Sequence, residues 1–126
     1  MVREQYEIEV WGTILYIVAI STTLDKKAID AAIEDVQKFV FHVDEVFSTY
    51  KPESVISCLR RGEIEIGGCS DEVIEVWNAC GAASELTDGA FNPWAVDGGF
   101  DPSGYVKGWA ADRVAEILVA AGVEHV

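Results

Sequence analysis

Basic side chains are scarce in this chain. Nine Lys and Arg residues stand against 22 Asp and Glu residues, which gives a formal net charge of -13. Nucleic acids and anionic membrane surfaces are bound by clustered Lys and Arg side chains, and the nine present are scattered. We therefore expect neither partner. A small anionic ligand would need a local donor site or a metal to overcome the negative field.

Soft metal ligands are also few. The three cysteines form no short Cys-x-x-Cys pair, and the two histidines lie far apart in the sequence, so no zinc site is expected. We interpret the cysteines as ordinary thiols in a reducing compartment. These residues are Cys58, Cys69, Cys80, His42 and His125.

No long apolar run is present. The longest, Ile14–Ile20, is far shorter than the ~20 residues that span a bilayer. The N-terminal residues are charged, without the basic and then apolar segments of a signal peptide. These features predict a cytoplasmic chain without a membrane segment.

The apolar pattern predicts a mixed fold. Alternation over Tyr6–Val10 indicates a strand, and the continuous apolar run Ile14–Ile20 indicates a second strand buried on both faces. Asp25 is a suitable N-cap for a long helix, whose apolar stripe begins at Ile29 and continues to Tyr50.

The remainder alternates short elements with turns. We expect a helical turn near residues 56–60, a brief strand at Ile64 and Ile66, and a helix from the Ser70 cap to residues 87–89. A third helix should begin near Gly108 and end before Gly122, and residues 123–126 should start a strand. Strands and helices mix without a βαβ rhythm, so the predicted class is α+β, with about three helices in one incomplete domain.

Two stretches, Thr87–Pro93 and Asp101–Trp109, combine glycine, proline, aromatic and acidic residues. Such composition suits a backbone that approaches a ligand closely. A helix N-terminus beside Lys107 could bind a phosphate. The alternative is a turn-rich connection with Lys107 solvated. The usual nucleotide-binding fingerprints, GxxxxGK[ST] and GxGxxG, are absent.

Four separated motifs resemble the ApbE family of FAD:protein FMN transferases. That family typically has a Met-Gly-Thr, an FSxY followed by a Ser, a T-x-GAFDP and a D-x-x-G-x-x-KG-x-A-x-D, in this order. The corresponding segments are Gly12-Thr13, Phe47–Ser54, Thr87–Pro93, and Asp101–Gly108 with Ala110, Ala111 and Asp112. The short connection between the last two resembles the compact members of the family.

The resemblance implies a specific reaction. Such enzymes bind FAD and a divalent metal, usually magnesium, and transfer FMN to a Thr or Ser hydroxyl of a target protein with release of AMP. Residues 1–126 would be the N-terminal part of the domain. The later Gly-Gly-Asp segment and the downstream Asp and Thr, which supply most metal ligands, have no counterpart in the sequence. We therefore expect little or no transfer by these residues alone.

Site residues follow from the same resemblance. One residue, Gly104, matches a position that contributes a metal ligand. Trp11 replaces the usual Met that lines the flavin site, and Asn92 replaces the Asp of GAFDP. The positions implied to bind FAD are Trp11, Tyr50, Ala90, Phe91, Asn92, Asp101 and Lys107.

Other interpretations stay open at this point. Tyr50 could be the last core residue of its helix, Phe91 a core residue and Asp101 a turn former. For the whole chain, the alternatives are a non-catalytic FAD-binding or acidic protein-interaction module and, less favoured, a phosphohydrolase that cleaves FAD with water. That hydrolase too would need metal carboxylates, which the sequence does not show.

Overall fold

The computed structural model describes all 126 residues and divides into two compact units. The first comprises residues 1–44 and 109–126, and the second comprises residues 45–108. The elements in chain order are β1 (Val2–Val10), β2 (Thr13–Ser21), α1 (Lys26–Phe47), α2 (Val55–Arg60), a 3₁₀ turn (Ile66–Gly68), α3 (Asp71–Leu86) and α4 (Ser103–Ala120). The predicted α+β class is confirmed. No helix combines the length and apolar character that a membrane span needs.

A hairpin forms one layer of the first unit. β1 and β2 pair antiparallel from Val2 opposite Ser21 to Val10 opposite Thr13. The two-residue loop has positive φ at both positions, 57° at Trp11 and 71° at Gly12. This matches the handedness of a type I′ turn, which suits the right-handed twist of the strands. Positive φ is unusual for a residue as bulky as Trp.

The inner face of the hairpin packs on α1 and the later part of α4. Asp25 caps α1 as predicted, because its carboxylate accepts the Ala28 N–H at 2.8 Å. Gly122 follows α4 with a φ of 105°, and the Val123 N–H donates to the Leu118 carbonyl, which completes the expected C-terminal motif. The buried core of this unit is Ile8, Val10, Ile17, Ala19, Ile29, Ala32, Ile33, Val36, Val40, Val114, Leu118 and Val123.

The outer face of β2 corrects the prediction of a strand buried on both faces. Ile14, Tyr16 and Val18 are exposed, and Tyr16 keeps 67% of its surface accessible. They lie opposite Glu9, Glu7 and Gln5 of β1. Only one face of the hairpin has a layer packed against it, so apolarity alone did not distinguish the two faces. Near the C-terminus, where the start of a strand was predicted, the structure has no strand but one isolated antiparallel bridge between His125 and Ile20.

The second unit contains α2, the 3₁₀ turn, α3 and the first residues of α4. The helical turn predicted at residues 56–60 is confirmed as α2, and Thr87 caps α3 as expected. The strand predicted at Ile64 and Ile66 is wrong. Ile64 lies in a bend, and Ile66 begins a 3₁₀ turn closed by the Gly68 and Cys69 N–H groups, because no partner strand lies beside them to satisfy an extended backbone.

Asp30 joins β1 to α1 and gives a test of pH dependence. It accepts hydrogen bonds from the Lys26 ammonium at 2.7 Å and the Tyr6 hydroxyl at 2.6 Å. These bonds, chiefly the one from Lys26, hold the pKa of Asp30 below its usual range. A lowered folded-state pKa stabilises the protein above the unfolded pKa, and this contribution is lost as the pH falls through the folded pKa.

We expect Asp30→Asn to lower the thermal midpoint at pH 7. The difference in thermal midpoint from the unsubstituted protein should shrink below about pH 4. There the unfolded carboxylate takes up a proton first, and the folded one follows at a lower pH. Thermal unfolding followed by circular dichroism between pH 2 and 7 measures this. Asp35→Asn, an exposed acid on the same helix, is the control. A pH-independent difference would contradict the assignment.

Candidate functional site

Tyr50 lies on a loop that two buried serines hold in place. Ser54 is 1% exposed, and its hydroxyl donates to the Ser48 carbonyl at 2.5 Å and accepts the Ser57 N–H at 3.0 Å. Ser57 in turn donates to the Lys51 carbonyl at 2.7 Å. The interpretation of Tyr50 as the last core residue of its helix is wrong. α1 ends at Phe47, and Tyr50 is 95% exposed.

The Thr87–Pro93 motif forms a turn that follows α3. The Thr87 hydroxyl donates to the Ala83 carbonyl at 2.9 Å and accepts the Phe91 N–H at 3.0 Å. Asp88 and Gly89 adopt positive φ, 53° and 81°, which reverses the chain. Thr87 therefore ends the helix and fixes the backbone of Phe91. Ala90 is exposed beside it.

Asn92 is exposed, and its side chain organises the next turn. Its amide oxygen accepts the Trp94 N–H at 3.1 Å. A carboxylate oxygen could accept the same bond, so the replacement of the family's Asp by Asn preserves this turn. What it removes is one negative charge. Neutrality at this position suits the approach of an anionic ligand.

Asp101 initiates α4. Its Oδ1 accepts from the Ser103 N–H at 3.0 Å and the Ser103 hydroxyl at 2.5 Å. The predicted helix start near Gly108 is wrong by five residues, because Pro102 and the Asp101 carboxylate begin the helix at Ser103. Asp101 acts as a turn former at Oδ1, and Oδ2 can serve as a hydrogen-bond acceptor for a ligand.

The two motif stretches meet directly. The Asp101 N–H donates to the Pro93 carbonyl at 2.8 Å. A Cβ atom added at Gly104 would lie 3.3 Å from Cε1 of Phe91, so the missing side chain makes room for the half-buried ring. Phe91, Asn92, Asp101 and Gly104 therefore lie in one cluster. All four residues belong to the second unit.

Lys107 lies in the second turn of α4 and is exposed. The helix extends past it, so the predicted arrangement of Lys107 beside a helix N-terminus is displaced by one turn. Helix N-termini attract anions through their free N–H groups, but here the Asp101 carboxylate already occupies the first of these groups, on Ser103. A phosphate would meet Lys107 as a point charge.

A metal does not fit the residues present. No group of three His, Cys, Asp or Glu side chains is placed to hold an ion. Gly104 could offer only its carbonyl oxygen, and in the first turn of a helix that oxygen points along the helix toward a backbone N–H. Magnesium requires near-octahedral oxygen coordination, which this single atom does not provide.

Trp11 belongs to the first unit. Its indole N–H donates to the Val40 carbonyl at 3.2 Å, and its half-buried ring packs against the core of that unit. Gly12 and Thr13, from the same motif, line an open groove with Glu9, Val10 and Ile14. The hydrogen bond restrains the ring orientation despite the strained turn.

Three side chains that position the site were not predicted as doing so. The hydroxyls of Ser57 and Thr87 fix the loops that carry Tyr50 and Phe91, although the end of α3 at Thr87 was expected. Arg60, at the end of α2, donates hydrogen bonds to the carbonyls of Asp97 and Gly98. Thr87 is the first residue of the Thr87–Pro93 motif, so the sequence did hold a signal for it. Arg60 and Ser57 lie outside any motif, and nothing in the sequence distinguishes them.

The chain is similar to solved structures of an ApbE protein and of a flavin transferase. The ApbE protein of Thermotoga maritima aligns with a TM-score of 0.80 and 20% identity, covering 95% of this chain and 53% of that one. The Vibrio cholerae flavin transferase ApbE aligns at 0.77 with 19% identity, over 97% and 55% of the two chains. A point mutant of the latter aligns at 0.82 with 17% identity, over 98% and 59%. The chain thus spans slightly more than half the length of these structures.

The fold is therefore the one seen in flavin transferase structures. The model of the ApbE family matches residues 5–97, and the chain belongs to that family. This confirms the resemblance to the family, and the matched residues contain the first three of the four motifs. No curated protein sequence matches the chain.

Proposed function

We propose that residues 1–126 are the N-terminal part of an FAD:protein FMN transferase domain and form its FAD-recognising side. Membership of the ApbE family supports flavin transfer at the level of the family. The observation that carries the proposal for this chain is the junction of the two motif stretches. There, Asp101 bonds to Pro93 and the Phe91 ring fills the space beside Gly104.

Each candidate residue has a task in this proposal. The exposed Tyr50 ring offers a stacking surface for the isoalloxazine or adenine ring. Phe91 and the backbone of Ala90 and Asn92 would line the FAD pocket, and Asp101 would accept a hydrogen bond from FAD through Oδ2. Lys107 supplies positive charge to the pyrophosphate, which partly offsets the acidic surface. Trp11, which belongs to the first unit, is a separate candidate for contact with the flavin through its indole ring.

The proposed reaction is a phosphoryl transfer. A Thr or Ser hydroxyl oxygen of the acceptor protein attacks the FMN phosphorus, the bond from this phosphorus to the bridging oxygen breaks, and AMP leaves with that oxygen. The hydroxyl proton passes to solvent. Positioning and charge neutralisation dominate such catalysis. Magnesium would add charge neutralisation and remains part of the proposal. The side chains of residues 1–126 do not form a site for it, and no step described here depends on it.

Tyr50→Ala tests FAD recognition. We expect it to weaken FAD binding about tenfold, because stacking on an aromatic ring contributes roughly 1–3 kcal/mol. Tyr50→Phe keeps the ring and should bind nearly as well as the unsubstituted chain. Titration of flavin fluorescence measures the affinity. Since Tyr50 is 95% exposed, the thermal midpoint should not change. Tyr16→Ala, which removes another exposed tyrosine, is the control.

Equal affinity of the Tyr50→Ala and unsubstituted chains would refute a role for this ring. AMP release on adding FAD, magnesium and a threonine-containing acceptor peptide would show that these residues suffice for transfer. FAD binding without AMP release would limit the proposal to recognition and favour the non-catalytic module. Failure to bind FAD at all would favour the acidic protein-interaction module.

A further inference from the structure

Arg60 makes an unusual pair of contacts for a surface arginine. Its Nη2 donates to the Asp97 carbonyl at 2.8 Å and its Nε donates to the Gly98 carbonyl at 3.2 Å. The two acceptors are consecutive in sequence and lie 37 and 38 residues after Arg60. The neighbouring Arg61 instead pairs with the Glu63 carboxylate, as an exposed arginine commonly does. Arg60 thus binds backbone, and its fork geometry fits two adjacent carbonyls.

Gly98 is shaped for this contact. A Cβ atom at this position would lie 2.6 Å from Nη2 of Arg60, closer than such atoms can approach. Its φ is 86°, a conformation in which L side chains are strained. The glycine therefore permits both the backbone turn and the close passage of the guanidinium group. No other glycine of the chain would bring a Cβ so close to another group.

The bound carbonyls lie between the two halves of the candidate site. Asn92 precedes the turn and Asp101 follows it, and the Gly99 N–H closes the turn by donating to the Val96 carbonyl at 3.1 Å. Glycines at 98 and 99 would otherwise leave this connection flexible. The contacts of Arg60 join the turn itself to α2, while Trp94 and Phe100 on either side of it pack against Trp77 of α3.

We infer that Arg60 is a positioning residue for FAD recognition. By holding the carbonyls of Asp97 and Gly98, it restrains the turn that lies between Pro93 and Asp101. It thereby supports the hydrogen bond from the Asp101 N–H to the Pro93 carbonyl, which joins the two halves of the candidate site. The inference rests on the proposed function, since it assumes that these two halves bind FAD. Arg60 acts through the backbone of the turn and needs no contact with FAD itself.

The test compares FAD affinity and local hydrogen exchange in three variants. Arg60→Met removes both hydrogen bonds but keeps an unbranched side chain, and we expect about tenfold weaker FAD binding. Arg60→Lys can reach one carbonyl, so it should recover part of the affinity. Gly98→Ala displaces the guanidinium and should resemble Arg60→Met. The control Arg61→Met removes a neighbouring arginine that is bonded elsewhere and should leave affinity unchanged.

Hydrogen exchange separates positioning from general destabilisation. In Arg60→Met, amides of residues 94–101 should exchange about tenfold faster, while those in the middle of α3 keep their rate. Unchanged FAD affinity and loop exchange in Arg60→Met would overturn the inference and leave the proposed function intact. Faster exchange throughout α3 would also overturn it, because the role would then be general stability. If the unsubstituted chain does not bind FAD, the proposed function fails and the inference falls with it.

Discussion

Phe100→Ala is expected to lower the free energy of unfolding of the second unit by about 3–5 kcal/mol, the usual cost of removing a buried phenyl ring. Phe100 is only 4% exposed and contacts two tryptophans. Its ring centroid lies 4.7 Å from that of Trp77 and 5.2 Å from that of Trp94. Loss of the ring removes buried apolar surface and the aromatic contacts together.

This substitution should also disturb the candidate site. Phe100 directly precedes Asp101, and Trp94 directly follows Pro93, whose carbonyl accepts the Asp101 N–H. Urea unfolding followed by tryptophan fluorescence measures the stability, because Trp77 and Trp94 report on the same cluster. Phe41→Ala is the matched control, since that ring is 50% exposed on α1 and its loss should change stability little. A cost below about 1 kcal/mol for Phe100→Ala would mean that the cluster repacks around the cavity.

The hairpin and α1 could be predicted because local signals agreed there. The alternation over Tyr6–Val10 predicted β1 and the Asp25 cap predicted the start of α1, and in both cases the tertiary packing agrees with the local signal. The burial of β2 could not be predicted in the same way. An uninterrupted apolar run has no period that separates an inner from an outer face, so the exposure of Tyr16 depends on which layers are present.

The start of α4 shows why the ends of helices were harder to predict than the helices themselves. Gly104 and Gly108 weakened the helical signal, since glycine is an unfavourable helix residue. In the structure, Asp101 caps the helix start and the Phe91 ring occupies the space that a side chain at Gly104 would need. That contact spans distant residues, and no local pattern predicts it.

Motif order predicted which residues belong to the candidate site, but not how they are held. Tyr50 continued the apolar stripe of α1, so helical spacing alone placed it in the core. Its exposure follows from the end of α1 at Phe47 and from the buried hydroxyl of Ser54. The role of Arg60 was not predictable, because its partners are carbonyl groups, which every residue carries.

Ser54→Ala is expected to cost about 2 kcal/mol of folding free energy and to weaken FAD binding. The hydroxyl caps α2 through the Ser57 N–H and also satisfies the Ser48 carbonyl. Loss of an N-cap costs roughly 0.5–2 kcal/mol, and the Ser48 carbonyl would keep only the longer contact of 3.3 Å from the Ser57 hydroxyl, which adds to this cost. Ser70→Ala is a matched control, because Ser70 precedes α3 without a side-chain capping bond and should cost under about 0.5 kcal/mol. Urea unfolding and FAD titration of both variants measure the effects.

The loop that carries Tyr50 closes through Ser54, so we expect FAD affinity to fall in Ser54→Ala even where the protein remains folded. Equal stability of the two variants would show that the capping bond is dispensable, and unchanged FAD affinity would separate the loop from the binding site.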